Sequence, residues 1–352
     1  MSGPAVNDVL SLLRSQLCVS LPTPTASFAG ETVIVTGANT GLGREAAKHL
    51  VRLGASKVIL AVRTVSKGED ARKYIEKETN KTGVMEVWPV DMSSTDSIKA
   101  FVQKATSLER LDVLVANAGI WPTKHEIVEN NEYVPNPSPA PNHPLIYPRA
   151  TITVNVINTF LLITLLLPIL RRTATTYSTI PRVTVVNSAL HKFANLKARK
   201  SQSIFTALAT PPLGPKDYDA RYNDSKLLVL LYTRAFAAAN PFSNLNANNV
   251  VLTSVNPGYC VSALRGENLP LAEKGQRALL ARSTDTGAQT LVDAVKPVKG
   301  EEAISRHGAY VDDMKVKKPT AWVETKEGRE TQERVWRELN EIIAGIEAGA
   351  KQ

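Results

Sequence analysis

The stretch TVIVTGANTGLGREAAKHL, residues Thr32–Leu50, constrains the fold more than any other part of the chain. A short β-branched run meets a helical pattern through only a few residues, three of them Gly37, Gly41 and Gly43. So tight a turn needs backbone at positive φ, which glycine adopts without steric cost. It also leaves the first N–H groups of the helix, and the positive end of its dipole, aimed past the end of the strand. Gly37, Asn39, Thr40, Gly41, Leu42 and Gly43 are therefore candidates to cradle a pyrophosphate. The spacing G-x-x-x-G-x-G departs from the commoner G-x-G-x-x-G, and it is the strand–turn–helix context that gives the cluster its meaning.

That unit repeats in kind along the chain. Strands are expected at Thr32–Thr36, Lys57–Val62, Val84–Val90, Asp112–Ala116, Arg182–Asn187, Val250–Val255 and Ala309–Asp312. Helical patterns fall between them at Leu42–Leu53, Val65–Lys81, Ser94–Ser107, Thr151–Leu170, Asn223–Ala239 and Ser283–Val295, with a late amphipathic helix at Thr331–Ala344. Alternation of this sort predicts an α/β fold, a doubly wound parallel sheet with helices on both faces. Residues 1–29 read as an N-terminal extension, 30–315 as the sheet domain and 316–352 as a helical appendage. Three long segments break the pattern: Trp121–Ala150 with seven prolines, Lys192–Arg221, and Ala263–Arg282. The last two have the positions of pocket walls and a lid.

Composition narrows the function. Of 352 residues 43% are apolar and 21% charged, enough for a sizeable core. Cys18 and Cys260 are too few for a disulfide framework, which points to a reducing, cytoplasmic compartment. The net charge of +9 is scattered without a basic aromatic stripe, which argues against nucleic acid and suits a polyanionic cofactor. His125, His143, His191 and His307 lack ligand spacing, so no metal site is expected. The run Ile152–Leu170 is about long enough to span a bilayer, but Asn155, Thr159 and Thr164 interrupt it and a buried helix fits better. Residues 1–29 carry no signal-peptide pattern; Leu10, Leu13 and Leu17 suggest a short amphipathic helix that packs on the body or, less favoured, touches a membrane surface.

Tyr222 and Lys226 in YNDSK lie on one helix face within mutual reach. An ammonium beside a phenol stabilises phenolate, so Tyr222 can exchange a proton with an alcohol oxygen near neutral pH. Ser188 ends the run VTVVNS, where it can hydrogen-bond that oxygen, and Asn155 is an amide inside an apolar helix that must find a partner. Gly37, Asp91, Asn117, Ser188 and Pro257 all follow strands, at the edge where open α/β sheets bind ligands. The second strand ends at Arg63 with no carboxylate near it. A guanidinium there can pair with a 2′-phosphate, which favours NADP(H) over NAD(H); Arg44 is a second candidate for that phosphate, or a solvated helix residue.

TGANTGLG, Asp91, ANAG, Asn155, Ser188, Tyr222/Lys226 and NPG, in this order over roughly residues 31–312, resemble the short-chain dehydrogenase/reductase family. The resemblance implies a seven-stranded Rossmann sheet of order 3-2-1-4-5-6-7 and a catalytic triad of Ser188, Tyr222 and Lys226. It also implies a proton relay anchored by Asn155, with Lys226 on the nicotinamide ribose and Asp91 on adenine. Asn117, Ala118 and Gly119 would form the cofactor shelf, and Pro257, Gly258 and Ser262 would meet the carboxamide side. A homodimer or homotetramer is the family's habit. More narrowly, AVRT, NSALH and YVDD resemble retinol-dehydrogenase-like and WW-domain-oxidoreductase-like members, in texture fungal reductases of polyketide or terpenoid secondary metabolism, with a bulky apolar carbonyl or alcohol as substrate. Two departures stand out. Ala116 takes a place where Asn is frequent, and the proline-rich insertion 133–149 precedes the Asn155 helix as a lid-side loop, an interaction element or a retained intron. The insertion keeps open a second reading, an NADP(H)-binding scaffold or redox sensor with little turnover.

Overall fold

The structure, a computed structural model, describes residues 6–121, 150–209, 215–242, 249–261, 264 and 271–349. The insertion 133–149, Ser262, His125, His143 and most of the segment 263–270 lie outside them. Strands β1 (Thr32–Thr36), β2 (Lys57–Val62), β3 (Met85–Pro89), β4 (Val113–Ala116), β5 (Arg182–Val186), β6 (Val251–Asn256), β7 (Tyr310–Asp312) and β8 (Lys315–Lys317) form one sheet of order β3-β2-β1-β4-β5-β6-β7-β8. The first seven are parallel in the expected order, and β8 is an addition, antiparallel to β7. Asp313 and Met314 join the two with φ of 49° and 61°, the doubly left-handed turn that closes a two-residue hairpin. That turn usually carries Asn-Gly or Asp-Gly; Asp-Met hides it from a sequence reading.

The strands divide their side chains between two layers, as a period of two requires. Val33, Val35, Val113, Val115 and Val255 pack on one side with helices Gly41–Arg52 and Thr284–Ala294. Ile34, Leu114, Val183, Val185 and Leu252 face the other, against helices Ala150–Tyr177, Pro215–Ala239 and Lys326–Gly349. Among the described residues Ala150–Tyr177 is the one helix long and apolar enough to cross a membrane, and 83% of its most apolar window is buried in this core. Its first turns are widened over Thr153–Ile157: the Asn158 N–H reaches back to the Thr153 carbonyl. Such five-residue turns recur at functional sites, and Asn155 sits inside this one.

Both ends of the described chain are tied into the sheet domain. Val335, Leu339, Ile342, Ile343 and Ile346 of the last helix belong to the same core as Tyr232, whose hydroxyl donates to Asn340 Oδ1 at 2.9 Å. The N-terminal helix Val6–Cys18 forms, but its apolar stripe does not make the contact. Leu10 is 56% and Leu17 59% exposed, while Ser15 is buried and donates to Asp313 Oδ1 at 2.7 Å. Arg282 Nη2 donates to the Ser15 carbonyl at 2.5 Å and to Asp313 Oδ1 at 2.7 Å.

At the opposite, amino edge of the sheet Arg182 is buried, donating to Glu31 Oε2 at 2.5 Å and to the carbonyls of Val295 and Ile180 at 3.0 and 3.1 Å. Burial raises the Glu31 pKa and Arg182 pulls it back. Arg182→Met should therefore cost about 3 kcal/mol by stranding that carboxylate, and Glu31→Gln added to it should restore part of the loss. Urea midpoints of the two variants check this; an unchanged midpoint for Arg182→Met would show that the pair does not hold the sheet.

Candidate active site

The turn after β1 has the expected backbone, with Gly37 at φ 65° and Gly41 at φ 58°. A Cβ on Gly43 would come within 2.5 Å of both Asn117 Nδ2 and the Gly37 carbonyl, so close packing dictates that glycine, whereas one on Gly41 would meet nothing within 4 Å. Thr40 begins the helix in extended conformation without capping it through its side chain. The leading N–H groups, at Gly41, Leu42 and Gly43, are thus left for a ligand. Asn39 and Leu42 are half-buried beside them. Asn117 locks this turn to β4: its Nδ2 donates to the Thr36 carbonyl at 2.9 Å, and Thr36 Oγ1 accepts from the N–H groups of Asn117 and Ala118, each at 3.0 Å.

Just past β2, Arg63 is exposed and makes no hydrogen bond or ion pair among the described residues. Arg44, the other cation near the turn, is engaged: it bonds Glu45 at 2.9 Å and stacks 4.0 Å from the Tyr74 ring centre. Asp91 is fixed by accepting from Ser93 N and Oγ at 2.8 and 2.6 Å, both on Oδ1. Among the described residues no group of His, Cys, Asp or Glu is clustered to hold a metal. The donor set fits a dinucleotide.

The helix Pro215–Ala239 carries Tyr222 and Lys226 to the end of β5. Tyr222 is 5% exposed and its side chain hydrogen-bonds that of Ser188, which sits in extended conformation where a short 3₁₀ turn, Ala189–Phe193, begins. Ser188 Oγ also accepts from Leu190 N at 3.2 Å. Lys226 Nζ donates to the Val186 carbonyl at 2.8 Å and lies 5.4 Å from the centre of the phenol ring. The expected convergence of hydroxyl, phenol and ammonium is present, but the expected fall in the phenol's pKa is not. Burial pushes Tyr222 up, with the Ser188 hydrogen bond opposing, and the ammonium is turned toward a carbonyl. The same burial brings Lys226 down to about 8.

Asn155 is 3% exposed and finds its partner in backbone. Its Oδ1 accepts from Ile120 N at 2.8 Å and its Nδ2 donates to Ile120 O at 3.0 Å and to Ser225 Oγ at 3.2 Å. Ser225 Oγ in turn donates to the Tyr222 carbonyl at 2.7 Å. A Cβ on Gly119 would press on Asn155 Oδ1 at 3.2 Å, which ties Gly119 to this clamp. After β6, Gly258 turns at φ 84° and donates to Asn256 Oδ1 at 3.2 Å, which also accepts from Ala189 N at 3.1 Å. Pro257 and Gly258 thereby stand beside the Ser188 turn.

Sequence spacing gives no site role to Ser225, Asn256 and Asp224, and marks His191 only as lacking metal-ligand spacing. Asp224 Oδ1 accepts from Asn195 N at 3.1 Å and Leu196 N at 2.7 Å, holding Leu196 in the left-handed region at φ 38°. His191, fully buried, accepts at Nε2 from Thr320 N at 3.4 Å, so its Nδ1–H is the donor toward the Ser188 carbonyl at 2.8 Å. No spacing marks these residues, because each acts through a partner far off in sequence. Burial lowers the His191 pKa from 6.5 to about 4. Between those values the unfolded chain binds the proton and the native one does not, so stability is full above pH 6.5 and falls toward pH 4. The loss attributable to this residue should reach about 3 kcal/mol. His191→Asn should flatten urea midpoints plotted over that range, and an unaltered slope would remove His191 as the cause.

Known proteins fit this arrangement. The family described as short chain dehydrogenase matches residues 31–195. Short chain dehydrogenase/reductase dmxR8 of Cryptosporiopsis sp. is 39% identical over 97% of this chain and 98% of its own length. Short chain dehydrogenase atnD of Emericella nidulans is 40% identical over 89% and 93%. Among solved structures, a protein from Mycobacterium paratuberculosis superposes with TM-score 0.62 at 23% identity, covering 92% of this chain and 98% of its own. An alcohol dehydrogenase from Thermococcus sibiricus complexed with 5-hydroxy-NADP gives 0.50 at 19%, covering 76% and 91%. The solved structures share the fold, whereas the fungal relatives keep about two residues in five almost from end to end, and on that likeness the chain belongs to the short-chain dehydrogenase/reductase family.

Proposed function

We propose that this oxidoreductase uses NADP(H) to interconvert a carbonyl and an alcohol on a bulky apolar metabolite. The observation that carries the reading is the meeting of Ser188, Tyr222 and Lys226 at the carboxyl edge of β5, on the edge where the glycine turn offers its free N–H groups.

The bound cofactor supplies or accepts the hydride; the protein handles the oxygen and its proton. Ser188 Oγ, already bonded to the Tyr222 side chain, holds the reacting oxygen beside the phenol. In reduction Tyr222 donates its proton to the oxygen as the carbon is reduced, and in oxidation it takes the proton back. The phenolate left behind is buried, which is costly without a counter-charge. Lys226 is near enough to supply it by exchanging the Val186 carbonyl for the phenolate or the cofactor's ribose. With its pKa brought to about 8, Lys226 can pass a proton on near neutral pH. Asn155 anchors the route by which that proton is replaced, the role the family resemblance implies for it.

Arg63 supports the choice of NADP(H): it is exposed and unengaged where the 2′-phosphate would lie, with Arg44 held elsewhere. The Thermococcus sibiricus enzyme was crystallised with an NADP derivative. The substrate class rests on the family resemblance of AVRT, NSALH and YVDD; the relatives dmxR8 and anuD are themselves short-chain dehydrogenases.

Tyr222→Phe should lower turnover of a panel of aromatic ketones and aldehydes by ~100-fold or more, since only the titrating hydroxyl is lost. NADPH affinity, followed by fluorescence titration, should hold; normal turnover would remove Tyr222 as the acid/base. Arg63→Asp should weaken NADPH relative to NADH by ~10- to 100-fold, the worth of hydrogen bonds to a charged group. An unchanged ratio of kcat/KM for the two cofactors would assign the 2′-phosphate to another residue.

A further inference from the structure

Trp121 lies at the last described position before the proline-rich segment, five residues beyond β4. Its indole is stacked on the Tyr222 phenol, with ring centroids 4.1 Å apart and planes within 5°. An aromatic stack this close and this parallel covers one whole face of the acid/base ring. Two further bonds set the indole in place. Its Nε1–H donates to Asp219 Oδ1 at 2.9 Å, and Asp219 stands three residues before Tyr222 on the same helix face. The preceding residue, Ile120, is the one whose N–H and carbonyl are both held by Asn155.

We propose that Trp121 is a positioning residue for the reaction: it fixes the plane of the Tyr222 ring and screens its face from water, leaving the hydroxyl and the ring edge on the Ser188 side as the approach for a substrate oxygen. Asn155 acts in the same device, because its clamp on Ile120 sets where the indole falls and its bond to Ser225 reaches the Tyr222 backbone. Screening of the phenol agrees with the direction in which burial moves its titration. The inference rests on Tyr222 being the acid/base, but its first test does not.

That test is the rate at which tetranitromethane nitrates the Tyr222 ring, whose carbons are attacked through the ring face, in the full-length protein, mapped by peptide mass spectrometry, with the buried Tyr232 and Tyr310 as internal controls of folding. In Trp121→Ala the Tyr222 rate should rise about tenfold, equivalent to the worth of one stacked aromatic pair, while the controls stay protected. In Asp219→Ala, which leaves the indole but removes its acceptor, a smaller rise is expected. Equal protection of Tyr222 in parent and Trp121→Ala, with the controls protected, overturns the proposal. Should Trp121→Ala expose all three tyrosines by unfolding, Asp219→Ala decides: parent-like labelling overturns the proposal and selective labelling of Tyr222 upholds it. The second readout is the pH profile of NADPH-dependent reduction of 9,10-phenanthrenequinone. Trp121→Ala should lower kcat and move the alkaline limb to lower pH with the KM for NADPH held, whereas a merely structural loss would scale the whole profile without moving its limb. Retained turnover in Tyr222→Phe would fault the acid/base reading, and that outcome is separate from the labelling result.

Discussion

A buried amide must be satisfied or it costs a few kcal/mol, and the way Asn155 meets that demand organises the catalytic edge. It sits in the widened turn of the core helix and holds both backbone groups of Ile120 with one side chain. The remaining donor goes to Ser225 on the helix that bears Tyr222 and Lys226. Three segments that meet only in the folded chain are thereby set in register: the core helix, the extension of β4 and the helix Pro215–Ala239. An apolar residue at 155 would leave both Ile120 groups without these partners.

The same economy of space shapes the chemistry. Tyr222 and Lys226 are both buried, and burial disfavours a charge on either, raising one pKa and lowering the other to about 8. Below about pH 8 the protein alone therefore favours a neutral phenol on Ser188 beside a Lys226 that keeps its charge on the Val186 carbonyl. Burial thus brings Lys226 toward neutral pH and carries Tyr222 away from it, so a phenolate at this place needs a counter-charge. Around it the supports are neutral or local: the His191 imidazole under Ser188, the Asn256 amide behind the Ala189 turn, and Asp224 pinning Leu196.

How the chain's ends join the sheet bears on the pocket side. Asp313, in the hairpin turn that adds β8, receives Ser15 from the N-terminal helix, Arg282 from just past the helix Leu271–Leu280, and Lys317 at 2.6 Å. Residues from opposite ends of the sequence thus converge on one carboxylate next to the β6 and β7 edge. Gly258 is hemmed in by this assembly, since a Cβ there would stand 2.8 Å from both Arg282 and Gln16.

Most of the fold, and the meeting of Ser188, Tyr222 and Lys226, were legible in the sequence because their signals are local. Strand alternation, glycine spacing and the tyrosine–lysine spacing on one helix face each follow from a few neighbouring residues and the geometry of one element. The order of seven parallel strands came with the family resemblance, not with periodicity. What the tertiary structure alone decided depends on pairs distant in sequence: Trp121 on Tyr222, Asn155 on Ile120, His191 between Ser188 and Thr320, and Ser15 on Asp313. It also reversed two local expectations. The phenol's titration follows its burial and not the nearby ammonium, and the N-terminal helix docks by a buried serine while its leucines face outward. In both cases the outcome is set by which surfaces become desolvated, a property of the packed chain that residue spacing does not carry.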